Sequence, residues 1–190
     1  MDKKKRCKRG SSSFGMNDAT CVFDALALDK GNVFLDLGCG PGEYSIAAAN
    51  AVGVRGQVYG IDMSDQSLGM FKSDILNLGL ENIQVIKSDI LHPFPITAES
   101  VDVCFISTVL HIYDVDQIAP QLFAEISRVL KKEGRLVILE CKKEKTTFGP
   151  PIEMRYSPVE LETVSKIYGY RKHAYTDLGH NYMIQFKRVE

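Results

Sequence analysis

The chain has almost no net charge, no paired cysteines and no long apolar run. Its 23 lysines and arginines stand against 24 aspartates and glutamates, a formal charge of −1, so there is no overall field to hold nucleic acid. No stretch of about 18 consecutive apolar residues occurs, which excludes a spanning helix. The basic N-terminus lacks the apolar stretch of a secretory signal. The five cysteines are scattered with no Cys-x-x-Cys pair, which argues for reduced thiols and against a disulfide framework or a metal site. These absences leave a soluble, cytoplasmic protein, and 190 residues suffice for one domain with a sizeable core.

What is present concentrates in Val33-Phe34-Leu35-Asp36-Leu37-Gly38-Cys39-Gly40-Pro41-Gly42. An apolar strand carrying one acid breaks into three alternating glycines. Such a loop lets backbone lie against a ligand, because glycine tolerates φ > 0. No phosphate-loop lysine follows, so the loop is not built for nucleoside triphosphates.

Strand and helix patterns alternate from there. Strands are expected at Val33–Leu37, Gln57–Ile61, Ile83–Lys87, Val101–Ser107 and Leu136–Glu140. Helices are expected around Asp18–Leu28, at Glu43–Ala51, from about Asp65 to Leu78 with Ser64 as cap, and on the face Leu122, Phe123, Ile126, Val129, Leu130. Lys131-Lys132-Glu133-Gly134 reads as a cationic last turn with a glycine cap. Asp89–Ser100, broken by Pro93 and Pro95, reads as loop. Ser157-Pro158-Val159-Glu160 is a capping box opening a helix to about Tyr168. Lys172–Thr176 and Asn181–Lys187 follow as an antiparallel pair. The alternation implies an α/β fold with a mostly parallel sheet and helices on both faces. Residues 1–15 read as a flexible basic tail, 16–190 as a single domain, and the stiff stretch around 142–157, with Gly149-Pro150-Pro151, as an insertion too long for a simple connection.

In open α/β sheets, ligands sit beyond the carboxyl ends of the strands, where strand order reverses. Asp62, about 20 residues past Gly42, is placed to accept from two ribose hydroxyls. The spacing Gly38-x-Gly40-x-Gly42 is not that of dinucleotide loops. Asp36 and Asp89 would be poor neighbours for a pyrophosphate but good ones for an α-amino group and an adenine amine.

At this point the sequence resembles the class I S-adenosylmethionine-dependent methyltransferases, in the branch related to ubiquinone/menaquinone C-methyltransferases. The resemblance covers about Gly31 to Glu140. It rests on Leu35–Gly42, on Tyr59-Gly60-Ile61-Asp62-Met63-Ser64, on Ile86-Lys87-Ser88-Asp89-Ile90 and on Leu130–Leu139. It implies a Rossmann-like, seven-stranded, doubly wound sheet and S-adenosyl-L-methionine as cofactor. Asp36 and the backbone of Gly38, Cys39, Gly40 and Gly42 would hold the methionine end, with Tyr44 as a wall. Asp62 would hold the ribose, Met63 and Ile90 sandwich the adenine, and Asp89 accept from its amine. Ser107 and Thr108 would line the sulfonium side. The stretch after the fifth strand resembles a substrate-side lid.

The acceptor side is less determined. His111 is a candidate base for an acceptor that arrives protonated, or a histidine holding its loop; Tyr113 follows on the same side. Glu140 either orients substrate or pairs with Lys142 or Lys143. Arg155 either holds an anionic substrate group or a cap carboxylate such as Glu160. A small-molecule acceptor is expected. An RNA or protein methyltransferase, with Lys3–Arg9 as a phosphate contact, is an alternative. So are an arsenite methyltransferase, although no paired cysteines are recognisable, and a non-catalytic cofactor-binding module. Oligomeric state is not legible.

Overall fold

The computed structural model describes residues 13–147 and 149–189. The expected tail lies outside the described residues as far as position 12, as does the whole Lys3–Arg9 run. From Ser13 the chain is already packed, entering a single turn of 3-10 helix at Phe14–Met16.

Among the described residues, seven strands form one sheet: β1 Val33–Leu37, β2 Gln57–Asp62, β3 Ile83–Lys87, β4 Val101–Ser107, β5 Leu130–Cys141, β6 Tyr170–Leu178 and β7 Asn181–Arg188. Five α-helices of the described residues accompany them: α1 Ala19–Leu26, α2 Glu43–Val52, α3 Asp65–Leu78, α4 Val115–Val129 and α5 Pro158–Ile167. The strand order is β3-β2-β1-β4-β5-β7-β6. β1 to β5 run parallel, while β7 is antiparallel to both β5 and β6. The order reverses between β1 and β4, which sets the crevice at their carboxyl ends.

Period-two alternation along β1 assigns its faces. Leu35 and Leu37 join a core with Leu122 and Ile126 of α4 and Leu161 of α5. Phe34 joins a core with Val22 of α1 and Tyr44, Ala48 and Val52 of α2. Asp36, two residues after Phe34, therefore points to the α2 face, under the helix that follows the glycine loop.

Local chemistry sets the element ends. Asp18 accepts from the amides of Thr20 and Cys21 to start α1. Ser64 accepts from Ser67 N to start α3, and Gly79 at φ 63° ends it. Ser157 and Glu160 complete a reciprocal capping box with Pro158 at the first helical position. The 89–100 stretch contains no helix or strand.

The α4–β5 junction differs from the expected glycine-capped helix end. Leu130 leaves the helix with extended angles and starts β5 at once. Leu130 pairs with Val101 and Arg135 with Val103, so residues 131–134 bulge from the ladder. Gly134 has no positive φ. Its smallness serves packing instead: a Cβ there would sit 2.9 Å from the Lys131 carbonyl oxygen and 3.0 Å from that of Val101.

Candidate active site

A cleft of about 390 Å³ opens at the carboxyl ends of β1, β2, β3 and β4. Its floor is the glycine loop. The amides of Gly38 and Cys39 both donate to the Ile61 carbonyl, at 2.8 and 2.9 Å, tying the loop to β2. Two of the three glycines are also fixed by contact. A Cβ on Gly38 would meet Val109 Cγ2 at 2.3 Å, and one on Gly42 would meet the Phe71 ring at 2.0 Å. Both positions have positive φ, so space and backbone conformation each demand glycine.

Three carboxylates are spread along the cleft. Asp62 Oδ2 accepts from Gly40 N at 2.9 Å and Oδ1 from Ser64 N at 2.8 Å. Those two bonds lock loop and helix start to one carboxylate and leave it further lone pairs for hydroxyl donors. Asp89 Oδ1 accepts from Leu91 N at 3.0 Å. Asp36 is 1% exposed and accepts from Ser45 Oγ at 2.6 Å. Burial pushes its carboxyl up to about 7; the Ser45 hydroxyl pulls it down and the Asp62 charge pushes it up again. Burial, with the negative field of Asp36 and Asp62, also pushes the Cys39 thiol far up, so it stays a neutral wall atom.

The remaining expected cofactor residues fall around these acids. Met63 stands exposed at the rim and Ile90 is buried beneath, on the wall shared with Asp89. Tyr44 and Ser107 line the Asp36 end. Thr108 follows with φ +52°, a left-handed conformation unusual for a β-branched residue, its hydroxyl donating to the Ser107 carbonyl at 2.8 Å. Tyr113 also borders the cleft. Gly42 does not; it sits behind the loop as the N-cap of α2.

The structure gives three acceptor-side residues definite partners. His111 lies on the short turn Leu110–Ile112, whose neighbours Val109, Ile112 and Tyr113 line the cleft while His111 does not. Its Nδ1 is 3.2 Å from Glu140 Oε2. Glu140 is 1% exposed, and its Oε1 accepts from Leu110 N at 2.9 Å. It pairs with neither lysine: Lys142 lies past the strand end and reaches Asp177, while Lys143 reaches Glu160. Arg155 is 4% exposed and donates to the carbonyls of Pro150, Lys142 and Glu144 and to Thr146 Oγ1. It holds the 142–155 segment together, and the Glu160 cap is left to Lys143.

Sequence reasoning missed Ser13 and Ser45. Ser13 lines the cleft and its hydroxyl lies 2.8 Å from that of Ser107. Asn17 Nδ2 donates to the Ser13 carbonyl and to Tyr44 Oη, and Asn181 Nδ2 donates to Asn17 Oδ1. The segment before α1 is thereby pinned across the Asp36 end. A serine inside a Ser-Ser-Ser run carries no signal of such a role.

The donor set fits an adenosyl amino acid. Acceptors for hydroxyls and an amine lie at one end, and a buried carboxylate with neighbouring hydroxyls lies at the other.

The family model described as a methyltransferase domain matches residues 28–175. A demethylmenaquinone methyltransferase of Lactobacillus johnsonii is 37% identical over 123 residues, 64% of this chain and 48% of that protein. One from Geobacillus stearothermophilus is 33% identical over 129 residues, 67% of this chain and 53% of that one. The chain thus spans about half the length of these curated relatives. The crystal structure of a SAM-dependent methyltransferase from Aquifex aeolicus superposes with a TM-score of 0.85 at 27% identity, covering 95% of each chain. The family match spans most of the chain and the superposition nearly all of it: the chain belongs to the class I S-adenosylmethionine-dependent methyltransferases.

Proposed function

We propose that the chain transfers a methyl group from S-adenosylmethionine to a small, largely apolar acceptor. The carrying observation is the cleft itself: Asp62 and Asp89 at one end, Asp36 at the other, joined by the glycine loop. The sulfonium supplies an already activated methyl group, so the protein's part is in-line positioning and removal of water, which can supply on the order of 7–11 kcal/mol. Asp62 holds the ribose hydroxyls, Met63 and Ile90 flank the adenine, Asp89 takes its amine, and Ser107 and Thr108 border the reacting end.

The acceptor enters beside Val109, Ile112 and Tyr113. Ile112 is 59% exposed at the mouth, a surface suited to an apolar ring more than to a nucleic-acid backbone. The curated relatives are named as demethylmenaquinone methyltransferases, so quinol-like acceptors head the screen. The 142–157 segment, braced by Arg155, serves as a lid on that side. No described helix is long and apolar enough to cross a membrane, and cytoplasmic action is the reading that fits.

With Nδ1–H directed to Glu140, His111 presents a bare Nε2 and takes the proton of an acceptor that arrives protonated. Glu140 is then a positioning residue. A second reading, in which the Glu140–His111 pair only clamps the turn that carries Ile112 and Tyr113, is favoured by the absence of His111 from the cleft wall. An acceptor screen read by S-adenosylhomocysteine release tests both. The base role predicts that His111→Ala slows turnover at least tenfold between about pH 7 and 8 and leaves cofactor affinity alone, with recovery at a pH high enough for the acceptor to ionise unaided. A pH-independent loss supports the clamp. Tight cofactor binding with no product on any acceptor would favour a sensor.

A further inference from the structure

Helix α4 is not capped by its own N-cap residue. The Asp114 side chain makes no bond to the helix amides and instead accepts from Gln117 Nε2 at 2.7 Å. The first amide of the helix, which has no partner within it, finds one far along the chain. Val115 N donates to Tyr156 Oη at 3.0 Å, across 41 residues. The same hydroxyl donates to the Tyr113 carbonyl at 2.8 Å. One phenol therefore holds both the end of the turn after β4 and the start of the helix that follows it.

Tyr156 is itself fixed from several sides. Tyr182 Oη, on a fully buried side chain of β7, donates to the Tyr156 carbonyl at 2.7 Å. Arg155, just before it, gathers the carbonyls of Lys142, Glu144 and Pro150. Ser157, just after it, caps α5. The turn 109–113 is thus clamped at both ends, by Glu140 Oε1 at Leu110 N and by Tyr156 at the Tyr113 carbonyl. Val109, Ile112 and Tyr113, between the clamps, border the cleft, whereas Tyr156 does not.

We propose that Tyr156 is a positioning residue for the methyl acceptor: its hydroxyl couples the 142–157 segment to the wall of Ile112 and Tyr113, so that the two close on an acceptor as one unit. This role depends on the acceptor lying beside that wall, as proposed above. Loss of the hydroxyl strips the Tyr113 carbonyl and the Val115 amide of their shared partner and frees the wall from the segment. The donor end of the cleft, built from the glycine loop and Asp62, shares none of these bonds.

Tyr156→Phe in the full chain keeps the ring and removes the hydroxyl. With a 1,4-naphthoquinol as probe acceptor and S-adenosylhomocysteine release as readout, the acceptor KM should rise about tenfold, the scale of one lost hydrogen bond. The change in kcat should be smaller, and S-adenosylmethionine affinity by calorimetry should stay the same. Hydrogen exchange read by mass spectrometry should speed up both at 112–115 and across 142–155. Tyr182→Phe, which removes the hydroxyl behind Tyr156, should raise the acceptor KM by less, and it carries the test if Tyr156→Phe folds poorly. Faster exchange with an unchanged acceptor KM, or an equal loss of donor affinity, would reduce Tyr156 to a helix cap and overturn the positioning role. No product from the quinol with the wild-type chain would overturn the acceptor reading instead. Exchange then decides the coupling: faster exchange in both segments of Tyr156→Phe supports it, and faster exchange at 112–115 alone, or in neither, overturns it.

Discussion

At Asp62 two tasks share one carboxylate. Its oxygens already hold Gly40 N and Ser64 N, so the proposed ribose contact and the loop geometry would fail together when it is lost. Asp62→Ala should weaken S-adenosylmethionine binding by one to two orders of magnitude, since a hydrogen bond to a charged group contributes about 1.5–3 kcal/mol. It should also lower the melting temperature of the ligand-free protein. Unchanged affinity by calorimetry would refute the ribose assignment. The cleft positions of Asp36, Asp62 and Asp89 were legible because an acid at or near the end of a strand in an α/β chain has few other places to be. Ser13 and Ser45 were not, since hydroxyl residues are common and their partners are set only by tertiary closure. Glu140 and Arg155 misled for the opposite reason. Sequence nearness suggested Lys142, Lys143 and Glu160, but the carboxylate lies inside β5, beside the turn that follows β4. Arg155 is enclosed by the segment it organises.

Helix α5 carries a defect that a single substitution can relieve. Ser165 is fully buried, and its hydroxyl lacks a hydrogen-bond partner beside an apolar gap lined by Leu122, Phe123 and Leu161. Ser165→Ala removes the unpaired group and should stabilise the protein by about 1 kcal/mol, a rise of roughly 2–4 °C for a chain of this size. A fall in melting temperature by calorimetry would mean that the hydroxyl has a partner in solution. Elements with strong local signals were read correctly: period-two apolar strands, the Ser157 capping box, the proline-broken 89–100 loop. The α4–β5 junction was not. Lys-Lys-Glu-Gly looks like a helix end, yet the bulge there depends on register against β4, which no local pattern encodes. The first turns of α4 also escaped notice, because Pro120 sits within that helix and proline normally signals an end.

Across the whole molecule, the burial of Asp36 ties stability to pH. Its folded carboxyl lies above the ordinary 3.8, at about 7, so its contribution is complete below about pH 4 and is lost as pH rises through 7. Glu160 runs the other way. Lowered to about 2, with burial opposing and Lys143 and Ser157 prevailing, it contributes above about pH 4.5 and fails only in strong acid. The ligand-free protein should therefore melt at lower temperature at pH 8.5 than at pH 5.5, and Asp36→Asn should flatten that slope in a pH series of thermal scans. An equal slope in both proteins would refute the linkage. The strand alternation foretold parallel pairing and the final antiparallel pair, but not that β7 inserts between β5 and β6; hairpin partners are local, whereas the second neighbour is chosen by the finished sheet. That insertion bears on how the chain is made. Asn17 meets Asn181 across 164 residues, and Ser13 meets Ser107 across 94. Asn17 cannot find its seat until Asn181 has left the ribosome. Loops so long close slowly, so the pocket for the methyl donor is among the last parts of the molecule to form, and a nascent chain stalled before β7 would hold an unfinished sheet and no latched cleft.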